Sequence, residues 1–174
     1  MTREKFLKGL NNDSNHRMLL FEAINLSKGK VVEFGSGFDS TPWLTEHCGN
    51  KQRKFESYEN NAEWAAKTGS TLISDWDELN FDSIGVLFID HAPGERRKVD
   101  LEKYKDIAQI IVIHDTEPVG AGDYRVRPLF SQFKYGVEVG TDGCWATMLS
   151  NFVDLSSTIG KTWDKYTIFP VQTP

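Results

Sequence analysis

The residues able to act on a ligand stand at the ends of short apolar runs. Val31, Val32 and Phe34 surround a lone carboxylate, Glu33, and give way to Gly35 and Gly37. Two glycines one residue apart make a tight turn with no Cβ in the way, so a ligand can lie against the main chain. Ser40 and Thr41 then precede Pro42, which starts a helix: threonine caps free N–H groups and proline suits the first turn. Further on, Phe55, Ser57 and Tyr58 end at Glu59, and residues 71–73 lead into Ser74, Asp75, Trp76 and Asp77. Residues 86–89 end at Asp90 and His91, and residues 110–113 end at His114 and Asp115. Imidazole beside carboxylate is a pairing suited to moving protons. His114, Asp115 and His91 are therefore the candidate catalytic groups, with His16 a weaker one.

Strand ends must position these side chains, and the pattern of the chain supplies the strands. A helix is expected over residues 15–28, closed by Gly29, and another from Pro42 to about His47. Strands are expected over residues 31–34, 55–59, 71–73, 86–89 and 110–113. Between them, Asn60 or Asn61 caps a short helix through Ala62, Trp64 and Ala66 that closes at Gly69. Residues 95–106 are helical, with Val99, Leu101 and Tyr104 as the apolar contributors, and residues 124–133 are helical despite Pro128. Residues 135–139 and 144–149 form a final hairpin around a turn at 140–143. Strands alternating with helices predict an α/β three-layer sandwich with a mostly parallel sheet. In such a sheet ligands bind outside the carboxyl ends of the strands, where Glu33, Glu59, Asp75, Asp90, His114 and Asp115 collect.

Composition narrows the function classes. The 174 residues fit one domain, with residues 1–13 as an N-terminal extension and residues 153–174 as a C-terminal tail. Hydrophobic residues make up 39% and charged residues 26%, which argues against disorder or a membrane span. A net charge of -5 without a long Lys/Arg run disfavours nucleic acid and anionic membranes as partners. Cys48 and Cys144 form no C-x-x-C pair, so neither a disulfide framework nor a structural zinc site is expected. The charged N-terminus has no long apolar core, and a cytoplasmic setting is the expectation.

G-x-G after a strand is a weak signal alone, but Glu59 stands at roughly the twenty-residue separation at which an acidic side chain reaches ribose hydroxyls. The third glycine of a dinucleotide fingerprint would fall at Ser40, which makes an NAD-dependent oxidoreductase the least favoured reading. With these features the sequence resembles the class I S-adenosylmethionine-dependent methyltransferases. VVEFGSGFDSTPWL is similar to their first motif, ESYENNAEW to the acidic second-strand motif, and LISDW to the adenine-side loop. FIDHAPGERR and IIVIHDTEP resemble the fourth and fifth strand ends of small bacterial and viral members with STP and HDTEP segments.

The resemblance implies a Rossmann-like, seven-stranded sheet whose last strand, residues 144–149, is inserted antiparallel. It places Glu33, Gly35, Gly37, Ser40 and Thr41 along the methionine part of the cofactor and Glu59 on the ribose. Asp75 would meet the adenine amino group, Trp76 would cover the ring, and Asp90 would face the methionine amine or the acceptor. The implied reaction moves a methyl group to O or N of a small-molecule or glycan-like acceptor. A module that binds the cofactor without transferring the methyl group is the alternative. Asp90, His114 and Asp115 also suit magnesium or manganese. A metal is not the favoured reading, because a His–Asp pair stands where metal-dependent relatives carry two acidic residues. Arg96, Arg97, Arg125 and Arg127 suggest an anionic acceptor gripped by guanidinium, set against the plainer reading of a solvated helix face. Trp43, Trp64, Trp145 and Trp163 are assigned to the core.

Overall fold

A computed structural model describes residues 14–118, 124–141, 143–163 and 165–171. The expected N-terminal extension, Gly120, Gly122 and Asp142 of the expected turn lie outside the described residues. The chain runs α1 (Asn15–Leu26), β1 (Val31–Phe34), α2 (Thr41–Asn50), β2 (Phe55–Glu59), α3 (Ala62–Thr68), β3 (Thr71–Leu72) and β4 (Ile84–Ile89). It continues through α4 (Arg97–Tyr104), β5 (Ala108–His114), β6 (Tyr135–Thr141) and β7 (Cys144–Ser150). Three two-residue strands follow: β8 (Thr162–Trp163), β9 (Tyr166–Thr167) and β10 (Phe169–Pro170).

One sheet of eight strands has the order β10-β6-β7-β5-β4-β1-β2-β3. Strands β1 to β5 pair in parallel, and β7 is inserted antiparallel between β5 and β6. The seven expected strands are all present. The eighth, β10, comes from the tail and pairs Phe169 with Glu138 and Pro170 with Val137. β1 and β4 are buried at every position, as strands covered on both faces must be.

Side-chain alternation divides the core in two. Val31, Val86, Phe88, Ile110 and Val112 meet residues of α1 and α2 on one face. Val32, Phe34, Leu87, Ile89, Ile111 and Ile113 meet Leu101 and Tyr104 of α4 on the other. The tail is more than an appendage, because Leu155, Trp163, Tyr166 and Ile168 are buried in the first of these cores.

Several local expectations change. The helix expected over residues 95–106 begins with a 3-10 turn, Gly94–Arg96, and Val99 is exposed while Leu101 and Tyr104 are fully buried. The segment expected as a helix over residues 124–133 is a 3-10 helix at Arg127–Gln132, which starts at the fixed φ of Pro128. Trp43 and Trp163 are core residues, but Trp64 and Trp145 are only partly buried. Among the described residues no helix is long and apolar enough to cross a membrane.

Candidate active site

The strand order reverses between β1 and β4, so the crevice for a ligand opens at their carboxyl ends. Gly35 leaves β1 at φ +87, its N–H donating to the Tyr58 carbonyl at 3.0 Å. A Cβ there would stand 2.4 Å from the Cα of His91. The space a side chain of Gly35 would need is taken up by the chain leaving β4. Gly37 is different. A Cβ on it would meet only Ser40 Oγ at 3.4 Å and Asp39 N at 4.0 Å.

Thr41 ties the turn to the strand below. Its hydroxyl accepts from the Gly37 N–H at 2.9 Å and donates to Glu33 Oε2 at 2.8 Å. Ser57 donates to the same oxygen at 2.6 Å. Ser40, at the helix start, makes no side-chain capping bond. Glu33 is fully buried, and its Oε1 has no partner. Burial pushes its carboxyl up to about 7, against the pull of the neighbouring hydroxyls. Glu59 accepts from the backbone N–H groups of Ser36, Asn60 and Asn61 at 3.0, 3.0 and 2.9 Å, clamping the glycine turn onto β2.

On the far side of the turn, Asp75 is exposed and caps the 3-10 turn Trp76–Glu78, accepting from the Asp77 N–H at 2.9 Å. Trp76 does not present an open face. It is 3% exposed and stacks on the His91 ring at 4.4 Å, with its Nε1 donating to the Ala92 carbonyl at 3.3 Å. His91 is buried as well, with Nε2 2.7 Å from Asp100 Oδ2. Neighbouring residues at a strand end point to opposite faces. Asp90 therefore continues the face of Phe88, and His91 joins Phe34 and Trp76 on the other. The structure separates His91 from His114, and the two expected imidazole–carboxylate pairs do not share one site.

The group that does assemble is Asp90, His114 and Asp115, joined by Arg97, Cys144 and His16. His114 Nδ1 lies 3.3 Å from Asp90 Oδ1 and 3.5 Å from Asp115 Oδ1. Asp115 turns back at φ 52. Arg97, buried at the start of α4, reaches over the sheet edge to Asp90 at 3.1 Å and Asp115 at 2.9 Å, and its Nε donates to the His91 carbonyl at 3.0 Å. His114 Nε2 lies 3.3 Å from Cys144 Sγ. His16 of α1 packs edge-on against His114 at 4.6 Å and lies 3.3 Å from Asp39 Oδ2, a carboxylate also held by Arg17.

Burial works against the charged form of His114, but Asp90 outweighs it and raises the imidazole well above its ordinary value. The same partnership lowers Asp90 despite its own burial, with His114 and Arg97 supplying the positive charge. Burial wins at His16 and lowers it, with only partial opposition from Asp39. The two edge-on rings therefore favour opposite charge states.

The remaining arginines are engaged. Arg96 bridges Asp100 at 3.1 Å and Asp77 at 2.7 Å. Arg127 lies 3.0 Å from the fully buried Glu138. The guanidiniums expected to grip an anionic acceptor thus include three whose charge is met by carboxylates of this chain.

No protein-family model and no curated relative matches the sequence. Solved structures do match the fold. An O-methyltransferase from Bacillus cereus in complex with S-adenosylhomocysteine (SAH) shares 11% identity over 81% of this chain and 82% of its own, with a TM-score of 0.53. Cofactor-bound Rv0187 from MTB shares 16% over 83% of each chain, with a TM-score of 0.54. The O-methyltransferase TomG from Streptomyces achromogenes, in complex with S-adenosylmethionine, shares 13% over 82% and 81%, with a TM-score of 0.50. The chain shares with these structures a Rossmann-like α/β fold built on a mostly parallel sheet.

Proposed function

We propose that this protein is an S-adenosylmethionine-dependent methyltransferase acting on a hydroxyl or amine of a small-molecule acceptor. The observation that carries this reading is the Asp90–His114–Asp115–Arg97 cluster, which lies beside the glycine turn at the reversal of strand order. The donor set around the turn fits a cofactor with two cationic centres. Glu33 offers an unpartnered buried oxygen, and Gly37, Ser40 and Thr41 frame a stretch of main chain free of crowding. In this reading Glu33 balances the cofactor's ammonium, Glu59 meets its ribose, Asp75 its adenine, and Asp90 faces the transfer centre. The cofactor supplies an activated methyl group on a good leaving group, and the protein's task is to orient the acceptor and take its proton.

A protonated His114 has no lone pair with which to do this. His16 has, since it is kept neutral and its Nδ1 has no partner. We assign His16 as the base, with the Asp39 carboxylate 3.3 Å from its Nε2, and His114 as the cation that fixes Asp90. Asp90, His114 and Asp115 bring one ligand atom each within 4.8 Å of the others, close enough for a divalent ion, but Arg97 already lies against both carboxylates and a metal is not the favoured reading.

Calorimetric titration with SAH tests the reading at its base, and absence of binding sinks it. Labelled-imidazole NMR at pH 7 should find His16 neutral and His114 charged; the reverse removes His16 from its role. With a panel of hydroxyl and amine acceptors, His16→Asn should lower methyl transfer about 100-fold or more with SAH binding retained.

A further inference from the structure

At the amino ends of the strands, opposite the candidate site, the residues leading into β1 and β2 border a second cleft, of about 630 Å³. Lys28, Lys30, Lys51, Arg53 and Lys54 line it, although the chain as a whole carries a net charge of -5. Arg53 is held in place through neutral acceptors alone. Its guanidinium donates to the carbonyls of Ile24 at 2.7 Å and Ser27 at 3.2 Å, to the Gly29 carbonyl, and to Ser27 Oγ at 2.9 Å. These bonds fix its geometry and leave its charge uncancelled. Lys30 and Lys54 share one carboxylate, Glu56, at 3.3 and 2.5 Å. Lys28 and Lys51 make no ion pair with any described residue.

Arg53 has a structural explanation, since a cation at the end of α1 complements the helix dipole. That explanation does not cover the four lysines that line the same hollow, where like charges repel. Five cations against one carboxylate leave an excess of four. We propose that this cleft binds a compact polyphosphate group, as inorganic polyphosphate or as the phosphate chain of a nucleotide. A chain of three phosphates carries about four negative charges at neutral pH. The volume is that of a small-ligand site. The cations line one hollow, Lys30 with its ammonium also over the Phe81 ring at 4.2 Å, and a bounded hollow suits a compact anion better than an extended nucleic acid or a membrane.

Sodium tripolyphosphate is the probe, titrated calorimetrically into the full chain saturated with SAH, so that the two sites are read separately. One saturable site is expected, weakening as salt rises from about 50 to 300 mM. Lys51→Glu/Lys54→Glu should weaken it roughly tenfold or more while Lys51→Arg/Lys54→Arg retains it, both with unchanged SAH affinity and melting temperature. ATP binding as tightly as tripolyphosphate assigns recognition to the phosphates alone, and tighter binding assigns it to a nucleotide. The proposal is overturned by no saturable binding at about 5 mM, by equal affinity in the charge-reversed variant, or by binding to phosphatidylserine vesicles alone. Loss of SAH binding with tripolyphosphate binding intact would refute the methyltransferase reading and leave this one standing.

Discussion

A buried carboxylate with one unpartnered oxygen is costly to a strand, and Glu33 is such a group. Its folded-state value of about 7 lies above the ordinary 4.5. Between those two values the folded chain holds a proton that the unfolded chain has released, so the protein loses stability as pH rises through that window, by about 3 kcal/mol at most. Glu33→Gln should therefore melt higher than the wild type at pH 8 and much the same at pH 4.5, followed by circular dichroism. The same variant should bind SAH about tenfold or more weakly, because an ammonium would lose its countercharge. Unchanged SAH affinity would remove Glu33 from the cofactor's surroundings. At this scale the sequence located Glu33, Glu59, Asp90, His114 and Asp115 correctly at strand ends, because apolar runs stop abruptly there. Arg97 was marked only as a possible grip for an anionic acceptor, and its partners were not legible. A cation in the first turn of a helix opposes the macrodipole and looks like a solvated one, and only the fold reveals two carboxylates waiting for it.

Elements decide which of two neighbouring residues enters the site. Asp90 and His91 are equally polar and equally placed in sequence, yet the alternation of β4 sends them to different layers. The sequence could mark both and could not separate them until the pairing of β4 between β1 and β5 was known. The glycines of the turn separate in the same way. Gly35 combines a left-handed backbone with contact against the backbone of His91, whereas Gly37 has room for a methyl group. Gly35→Ala is expected to lose about 2 kcal/mol or more in urea unfolding, from strain and overpacking together. Gly37→Ala should stay within about 1 kcal/mol of the wild type and lower SAH affinity instead. Equal effects of the two on stability would mean that the turn is purely structural. Caps with local chemistry were legible, as α3 shows with Asn61 accepting at its start and Gly69 left-handed at its end.

Over the whole molecule, alternating strands and helices gave away the parallel sheet, because each buried strand is a continuous apolar run that sequence alone exposes. Closure of the sheet was hidden. Strands of two residues have no periodicity to detect, and β8, β9 and β10 are all of that length. Yet they bring Trp163, Tyr166 and Ile168, each at most 5% exposed, onto the core below α1, with Trp163 edge-on to Phe21 at 4.7 Å. β10 also covers the outer edge of β6, which would otherwise offer unpaired N–H and C=O groups to another chain. The tail should consequently act as part of the folding unit. Tyr166→Ala is expected to cost about 3–5 kcal/mol, the range for emptying a large aromatic site in a packed core. A chain ending at residue 154 should lose its cooperative thermal transition and associate through the uncovered β6. Scanning calorimetry and light scattering read these two outcomes separately. A truncated monomer that melts cooperatively within a few degrees of the full chain would show that the first 154 residues close the core alone.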